Sequence, residues 1–429
     1  MALCVVPNPT LSAAEVYAQL AKWRLLSPQT AEALAQRLFT EGLPWPLEGE
    51  VADYADTIAR LACKGWVRYQ DHPTQPTVAL IPETEHFSWQ EASAQRWVLS
   101  PFQYLRPHAG AWIVRDPQVP GRLEIYDSAL LTPLGQYATE GHQKTSEALQ
   151  ALLVGGGLLV PAKEDSAPHS EAWEFHDLLF HQHTRLGLGP GPIGKVPPHL
   201  VGPERVPALR PNPWAADSVA LPTPSVKWSQ DPPFSQVMSQ RRSVRAFSPV
   251  PPTLAELGEL LYRVQRVVAQ SESEGRTYTE RPYPAGGALY ELELFITVQA
   301  CAGLPRGLYY YDALHHRLCR VAQAGPETEA QLRLAQYSVA GSAPPPLLLH
   351  LVARHGRVSQ GYRGIAYALQ LKHVGVLFQT LYLTATALGL GGCALGAGNP
   401  TLLQALTGAD PMEENVLGEF ILGRPLPLG

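Results

Sequence analysis

Three arginines and a serine lie within five residues, Arg241 to Arg245, in the second half of the chain. A guanidinium group stays charged and offers a planar set of donors, which suits the oxygens of a phosphate group. Residues two apart lie on one side of an extended chain, so Arg241, Ser243 and Arg245 can converge on one anion while Arg242 points elsewhere. The alternative is a solvated basic end of the preceding helix, which Ser235 would cap. The residue types leave both interpretations open.

Two glycine-rich segments lie further along the chain. The first is Pro-Ala-Gly-Gly at 284–287, and the second is Gly-Gly-Cys-Ala-Leu-Gly at 391–396. Adjacent glycines let the backbone approach a ligand closely and present amide groups to it. A plain turn before the strand predicted at 292–298 explains the first segment equally well. The spacing of Gly389, Gly391 and Ala394 fits a dinucleotide fingerprint, but it follows a helix instead of a strand, so we reject that motif.

Four ordered segments resemble the nitroreductase-like flavoproteins, in particular the azoline oxidases and, among these, the cyanobactin thiazoline oxidases. The segments are 241–247, 281–293, 307–312 and 381–393, and the resemblance covers about 235–429 with a looser match upstream. It implies an α+β fold, with a central sheet flanked by helices, and a homodimer with FMN at the interface. The implied reaction is oxidation of thiazoline, or oxazoline, rings to the aromatic azoles in ribosomally made peptides, with oxygen as the electron acceptor.

The resemblance also implies which residues contact FMN. A second arginine, Arg424, follows the strand predicted at 420–423 and joins the arginine segment at the phosphate. The glycine-rich segments lie along the flavin, the second one as a loop that passes the reactive edge of the ring. Tyr290 and Glu291 are expected near a subunit boundary. The full implied set is Arg241, Arg242, Ser243, Arg245, Pro284, Ala285, Gly286, Gly287, Leu289, Gly391, Gly392, Cys393, Leu395, Gly396 and Arg424.

Ring oxidation also requires a base that removes the proton from the carbon beside the carbonyl group. The family places a Lys-Tyr pair just before the long helix, where this chain has Gly361-Tyr362. The tyrosine matches and the lysine is missing, so Lys372 and His373 are the nearest substitutes. A tyrosine side chain has a reference pKa of about 10, so a base of this type needs a nearby cation. The predicted catalytic residues are Tyr362, Lys372 and His373, with an ordinary polar contact at the dimer surface as the alternative for each.

The local patterns predict the elements that hold these segments. Thr253 and Glu256 form a capping box that begins a helix. The polar stretch 271–279 is predicted to be a loop. The long helix that ends at Gly389 is predicted to pack in the dimer core. The run 347–352 is apolar apart from His350, as expected for a strand in the middle of a sheet. Other strands are predicted at 292–298, 308–311 and 317–321.

The first half predicts two small winged-helix-like units, at 1–95 and 96–186. Helices near 12–23, 27–41 and 51–64 precede a strand at 66–69, and strands at 112–114 and 123–126 precede two more helices. By resemblance these units form a peptide clamp, in which a precursor peptide adds as a strand beside a wing. An inert scaffold and a DNA reader are the alternatives, although neither unit has a helix rich in lysine and arginine.

A proline-rich linker is predicted at 187–234, before the FMN domain at 235–429. Fifteen prolines lie between Gly187 and Pro252, and each one removes an amide donor and fixes a backbone dihedral angle. The segment is therefore expected to be either an extended tether or a strap laid over the catalytic domain.

Composition and residue spacing argue against a nucleic-acid partner, disulfide bonds, a metal site and a membrane span. The formal net charge of −5 argues against nucleic acid. The five scattered cysteines predict free thiols in a reducing cytoplasm. No metal site is predicted from His176, His181 and His183, because no matching second pair of ligands is present. The uncharged stretch 374–398 contains polar residues and many glycines, so we expect a buried helix and loop there instead of a membrane span.

Two other functions fit the same sequence. The first is an NAD(P)H-dependent nitro or quinone reductase on the same scaffold, although such an enzyme has no need of the first 180 or so residues. The second is a catalytically dead subunit that only presents a peptide.

Overall fold

The structure is a computed structural model that describes residues 3–23, 26–47, 49–84, 86–91, 97–139, 146–161, 172–186, 193–197, 206–224, 230–273, 276–396 and 398–426. The chain forms two compact units. Unit 1 is Met1–Ile193 and unit 2 is Gly194–Gly429.

Unit 1 combines short helices with short antiparallel strands. Its helices are α1 (Ala13–Trp23), α2 (Pro28–Thr40), α3 (Ala55–Cys63), α4 (Leu131–Thr139), α5 (Glu147–Gly155) and α6 (Phe175–His183). Its strands are β1 (Leu3–Pro7), β2 (Leu43–Trp45), β3 (Val67–Gln70), β4 (Val78–Pro82), β5 (Trp97–Leu99), β6 (Tyr104–His108), β7 (Ala111–Arg115), β8 (Gly121–Ile125) and β9 (Leu159–Pro161). These positions agree with the helices and strands predicted for the first half.

One sheet joins strands from both predicted halves of unit 1. Its order is β2-β1-β3-β4-β8-β7-β6, and β4 pairs with β8 from Val78 opposite Ile125 to Pro82 opposite Gly121. The core beneath it includes Leu34 of α2 and Leu149 of α5. The boundary predicted at 95/96 therefore falls inside one compact unit. Local patterns do not reveal this, because pairing between β4 and β8 joins residues far apart in sequence.

Unit 2 carries the predicted catalytic half. Its strands are β10 (Gly194–Lys195), β11 (Ser218–Ala220), β12 (Ala269–Ser273), β13 (Arg276–Glu280), β14 (Leu292–Val298), β15 (Gly307–Asp312), β16 (Arg317–Gln323), β17 (Leu347–Arg354), β18 (Tyr362–Arg363), β19 (Gly391–Leu395) and β20 (Glu414–Gly423). Its helices are α7 (Phe234–Gln240), α8 (Leu254–Gln265), α9 (Pro326–Ser338), α10 (His355–Ser359), α11 (Ala366–Ala387) and α12 (Pro400–Thr407).

The central sheet of unit 2 has the order β11-β16-β15-β14-β17-β20-β19. Alternate residues of an inner strand face opposite sides. Thus Leu349 of β17 packs in the core cluster that contains α8 and α11, while Leu348 packs with α9. Helices on both faces explain why β17 is mostly apolar and is buried along its whole length. The predicted α+β architecture, with a central sheet flanked by helices, is confirmed.

Two local predictions for unit 2 need correction. The stretch 271–279 contributes to an antiparallel hairpin of β12 and β13 instead of a loop. Because β12 is exposed along its length, its sequence carries no apolar alternation that would have predicted a strand. The stretch 391–395 is the edge strand β19, not a loop. Where the linker is described, it follows the strap alternative and not the extended tether, since β10 pairs with β18 and β11 pairs with β16 inside unit 2.

All five cysteines are free thiols, as predicted. Among the described residues, no helix combines the length and the apolar character needed to cross a membrane.

Candidate functional site

The arginine segment lies against strand β19 and helix α11. Ser243 forms an isolated bridge with Gly392, and the Val244 amide donates to the Gly392 carbonyl at 2.9 Å. The Ser243 hydroxyl lies 3.1 Å from the Tyr382 hydroxyl, which also accepts a hydrogen bond from the Ala394 amide at 2.9 Å. The first and fourth segments of the sequence pattern are therefore neighbours in space.

The two glycines at the start of β19 are required by this close packing. A Cβ at Gly391 would lie 2.6 Å from a methyl group of Val244, and one at Gly392 would lie 2.3 Å from the Phe420 ring. Both distances are shorter than any real carbon contact, so larger residues cannot fit without movement. These glycines bring the arginine segment onto the sheet, a role that the sequence did not distinguish from ligand contact.

The positive charges of the arginine segment have no carboxylate partners among the described residues. Arg241, Arg242 and Arg245 form no ion pair there, and the Arg241 guanidinium lies 5.3 Å from the centre of the Tyr382 ring. Arginine readily stacks on an aromatic face, and this contact leaves its outer N–H donors available for an anion. Tyr382 thus supports both Arg241 and Ser243. No role was predicted for Tyr382 from the sequence, although its hydroxyl is a polar group in a mostly apolar helix.

Arg424 differs from the other arginines because its charge is already paired. Its Nη2 atom lies 2.7 Å and 2.9 Å from the two carboxylate oxygens of Glu256. Burial acts to raise the pKa of Glu256, but the hydrogen bond from the Thr253 amide and the Arg424 guanidinium together hold it below its usual value. The backbone of Arg424 does lie beside the arginine segment, since its carbonyl accepts from the Ser248 amide at 2.8 Å. Its side chain is directed to the capping box of α8.

The first glycine-rich segment has a strained backbone. Gly287, Ala288 and Tyr290 have φ angles of 62°, 52° and 45°, values that side chains with a Cβ rarely adopt. Ala288 and Tyr290 lack the conformational freedom of glycine, and each of these backbone conformations is unfavourable by about 1 to 3 kcal/mol. Contacts with the surrounding structure must therefore stabilise them. Arg357 donates to the Leu289 carbonyl at 3.0 Å, and the Tyr290 ring packs edge-on against Tyr283. Strain held in this way is typical of ligand-binding segments.

His373 holds the same segment from helix α11. The Gly286 amide donates to His373 Nε2 at 2.7 Å, so that nitrogen is the acceptor and Nδ1 carries the proton. Nδ1 then donates to Glu291 Oε1 at 2.8 Å. With both nitrogens engaged, His373 is a positioning residue and not the free base that the sequence suggested. The Gly286 amide is likewise occupied by protein.

The pairing of Glu291 with His373 was not predicted from the sequence, which indicated only a position near a subunit boundary. Glu291 is fully buried inside unit 2, and its second oxygen has no hydrogen-bond partner among the described residues. A buried carboxylate is costly unless it is paired, so His373 provides most of its compensation. The sequence predicted that Glu291 lies near a subunit boundary. Its side chain is already buried within a single chain.

We expect His373→Phe to lower the free energy of unfolding by about 3 kcal/mol, because it leaves the Glu291 carboxylate buried without its partner. Adding Glu291→Gln should recover part of that loss, since it removes the unpaired charge. Urea unfolding of the two single variants and the double variant gives the coupling free energy between the two side chains. Strictly additive losses would show that the pair makes no net interaction.

Tyr362 lies over the strained segment. A Cβ at Gly287 would be 3.1 Å from the Tyr362 hydroxyl, which places the phenol beside the glycine-rich turn. Tyr362 belongs to β18, and its register partner across the pair is Lys195 of β10. Register partners on antiparallel strands point to the same face with Cβ atoms about 5 Å apart. The structure therefore places the backbone of Lys195 beside that of Tyr362, in a segment that the sequence assigned to a linker.

Lys372 lies on a different side of α11 from its neighbour His373. His373 is buried, whereas Lys372 is exposed. Successive helical residues differ in direction by about 100°, so the inward position of His373 turns Lys372 away from the glycine-rich segment. The fold thus does not bring Lys372, the predicted substitute for the missing lysine, to the glycine-rich segment beside Tyr362.

The histidines near the end of unit 1 do not converge on one point. His183 Nδ1 lies 2.9 Å from the Leu179 carbonyl, and the His181 ring packs against Trp173. Among the described residues, one exposed group has side chains of the types that bind metals, namely Glu174, His176 and Asp177. Their possible ligand atoms lie within 4.8 Å of one another. Exposed acidic groups of this kind are common without an ion, so the group adds no metal site to the predicted set.

Comparison with known proteins finds a family match within each unit. Residues 238–424 match the nitroreductase family, and residues 97–188 match the family described as cyanobactin oxidase ThcOx. A protein of Methanocaldococcus jannaschii named as a nitroreductase is 30% identical over 164 residues, which are 38% of this chain and 78% of that protein. The chain belongs to the nitroreductase family. Unit 2 thus carries a nitroreductase domain, and unit 1 carries the cyanobactin oxidase segment.

Two further matches are to an indigoidine synthase and to a chain of a microcin synthetase complex. Indigoidine synthase of Dickeya dadantii is 30% identical over 181 residues, which are 41% of this chain and 10% of that protein. The E. coli microcin synthetase McbBCD complex, solved with truncated pro-MccB17 bound, has a TM-score of 0.37 at 21% identity and covers 48% of this chain and 78% of the matched chain.

Proposed function

We propose that this protein is an FMN-dependent oxidase that converts thiazoline rings, and by the same chemistry oxazoline rings, to aromatic azoles in ribosomally made peptides. The observation that carries the proposal is the joint presence of a nitroreductase domain and a cyanobactin oxidase segment in one chain. A nitroreductase on small molecules has no use for the second of these. The chemical elements of the nitroreductase domain are consistent with this reaction.

The residues present fit an FMN phosphate. Arg241 and Arg245 supply guanidinium groups that no described carboxylate neutralises, and Ser243 supplies a hydroxyl between them. Arg424 is already paired with Glu256, so its assigned contact with the phosphate is the weakest member of the set. The flavin, when bound, supplies a two-electron acceptor that the protein side chains lack. The chain's own tasks are to hold it, to position the peptide ring and to remove one proton.

Tyr362 is the proposed base, and Lys195 is its proposed cation. Oxidation of the ring removes a proton from the carbon beside the carbonyl and a hydride equivalent from the other ring carbon. A phenolate accepts that proton, and a neighbouring ammonium group stabilises the phenolate by charge. Lys195 meets this need through its register position opposite Tyr362, whereas Lys372 does not.

Lys195→Met should move the rising limb of the pH–rate profile to higher pH by about one unit and slow peptide oxidation at neutral pH by about tenfold. The direction follows because the active form of the base is deprotonated and the lysine charge favours that form. The rate is measured with a heterocyclised peptide across a pH series. Lys372→Met is the comparison variant. A shift of the pH–rate profile in Lys372→Met, with none in Lys195→Met, would show that Lys372 and not Lys195 is the cation beside the base.

The oxidase proposal is tested by mixing the yellow protein with a heterocyclised peptide in air and measuring peptide mass. A loss of two hydrogens per oxidised ring is expected. Protein that binds FMN, leaves the peptide unchanged and is instead bleached rapidly by NAD(P)H would be a nitro or quinone reductase. A colourless chain that takes up no added FMN would be a peptide-presenting subunit.

We also assign a homodimer to the nitroreductase domain. Helix α11 carries 22 residues with one basic side chain and no acidic one, yet only one of its faces is buried. Tyr367 is 48% exposed and Leu371 is 39% exposed. A second copy of the chain would remove this apolar surface from water.

Gly375→Arg tests the dimer, since Gly375 lies on the uncovered face of α11 and a Cβ there meets no atom within 4 Å. The variant should fold and become monomeric, because burying an unpaired charge in an interface is costly. Light scattering after size-exclusion chromatography gives the mass. A wild-type protein that is already monomeric at micromolar concentration would contradict the assignment.

Unit 1 is assigned the binding of the precursor peptide. Strand β6 is the outermost strand of its sheet, and four of its five residues are exposed. An exposed strand edge is a template for addition of an extended peptide. The cytoplasm, where precursor peptides are made, is the compartment that fits this function.

A further inference from the structure

Unit 1 contains an open groove whose floor is a row of side chains on one face of the sheet. Tyr104 of β6 lies opposite Arg115 of β7, Arg115 lies opposite Arg122 of β8, and Arg122 lies opposite Ile81 of β4. Register partners share a face, so these four side chains line up across four strands. Arg106 lies two residues from Tyr104 and therefore on the same face of β6.

Helix α6 borders this floor and adds apolar surface. Leu179 and Phe180 line the groove together with Ile81 of the floor, and the Phe175 ring lies 6.2 Å from the Tyr104 ring. The cavity measures about 930 Å³. A space of this size holds several amino-acid residues instead of a single ion. Its lining is both apolar and cationic, which suits an amphipathic ligand.

The charges in the groove are not balanced. Three guanidinium groups, of Arg106, Arg115 and Arg122, line it with a single carboxylate, Glu83. Glu83 is shared between Arg115 and Arg122, and Arg122 also contacts Glu124 at 2.7 Å. One positive charge therefore remains after the pairing, and Arg106 is exposed.

Arg115 is the most buried of the three arginines. Its side chain is only 12% exposed, and its Nε atom is buried without a hydrogen-bond partner among the described residues. Burial lowers the pKa of the Arg115 guanidinium in spite of the neighbouring Glu83. A further negative charge in the groove would stabilise this buried cation.

We propose that the groove binds an acidic, amphipathic peptide segment, with Arg106 and Arg115 contacting its carboxylates and Leu179 and Phe180 contacting its apolar side chains. The proposal rests on the proposed function, because it takes this segment to be part of the peptide substrate, outside the ring that is oxidised. Nucleic acid is a poorer fit, since the apolar wall offers no charge to a phosphate backbone and the whole chain carries a formal charge of −5.

Fluorescence anisotropy of the full-length protein tests the charge preference. The probes are a labelled decapeptide of alternating glutamate and leucine, and the same peptide with glutamine in place of glutamate. We expect the glutamate peptide to bind at least about tenfold more tightly, and this preference to shrink as salt is raised. Equal affinities for the two peptides would overturn the proposal. So would tighter binding of a labelled single-stranded oligonucleotide than of the glutamate peptide, which would assign the groove to nucleic acid.

Arg106→Gln should weaken binding of the glutamate peptide by about tenfold, because a hydrogen bond between charged groups is lost. Its exposed position makes this variant safe for folding. Arg115→Gln should weaken binding further, provided that its unfolding midpoint shows a folded protein. Arg60→Gln is the matched control, since Arg60 is an exposed arginine of α3 outside the groove. Equal losses in Arg60→Gln and Arg106→Gln would overturn the proposal.

These readouts do not depend on the flavin. Protein that oxidises azoline peptides but shows no preference for the glutamate peptide would lose this inference alone. Protein that prefers the glutamate peptide but takes up no FMN would retain the groove and lose the oxidase function.

Discussion

Replacing both Arg241 and Arg245 with glutamine is expected to give a colourless protein. Each guanidinium contributes about 1.5 to 3 kcal/mol to binding of a charged phosphate, so loss of two should weaken FMN binding by at least ~100-fold. The size of this effect depends on their lack of described carboxylate partners, because an arginine already neutralised would contribute less. Quenching of flavin fluorescence on titration of the apoprotein measures the dissociation constant.

Arg333→Gln is the matched control for this experiment. Arg333 lies on α9 of the same unit, where its side chain is 63% exposed and pairs with Glu329 of the preceding turn. This variant should keep its colour. A double arginine variant that stays yellow, with unchanged affinity for FMN, would show that the phosphate lies elsewhere and that the anion site was assigned wrongly.

The second large effect is expected from Tyr362→Phe. Removal of the hydroxyl should slow peptide oxidation by roughly 100- to 10,000-fold, the range that general base catalysis usually contributes. FMN content should not change, because the ring of the phenylalanine still packs beside Gly287. Initial rates with a heterocyclised peptide, together with the visible flavin spectrum, separate catalysis from cofactor binding.

Tyr337→Phe is the control for the loss of a phenol. Tyr337 is 84% exposed on α9, and its removal should affect neither the rate nor the flavin spectrum. Full activity in Tyr362→Phe would remove Tyr362 as the base. A rate that falls together with flavin content would give it a structural role instead.

Local sequence patterns were sufficient for most elements of the fold. The capping box at Thr253 and Glu256 begins α8 as predicted, and the apolar run at 347–352 lies in an inner strand. Such signals are local, because a cap or a run of apolar side chains depends on neighbouring residues. The hairpin of β12 and β13 was missed because it is exposed, so no burial pattern distinguished it from a loop.

Pairings between distant segments were not predictable in the same way. The division of unit 1 failed because β4 and β8 form one sheet, and only long-range hydrogen bonds decide that. The register of Lys195 opposite Tyr362 was not predictable for the same reason, since the two residues lie far apart in the chain. The pairing of Glu291 with His373 and the contacts of Tyr382 were not predicted either, because any polar side chain in an apolar run has many possible partners.

The amino-acid sequence by itself determined the chemical groups of this protein, namely an arginine segment, two glycine-rich segments and a tyrosine before a long helix. Residue type and spacing are sufficient for that, because charge and backbone freedom are properties of the residues themselves. Only the tertiary structure decided which groups meet. It paired Arg424 with Glu256, it occupied both nitrogens of His373, and it placed Lys195 opposite Tyr362, because strand register and packing join residues that are distant in sequence.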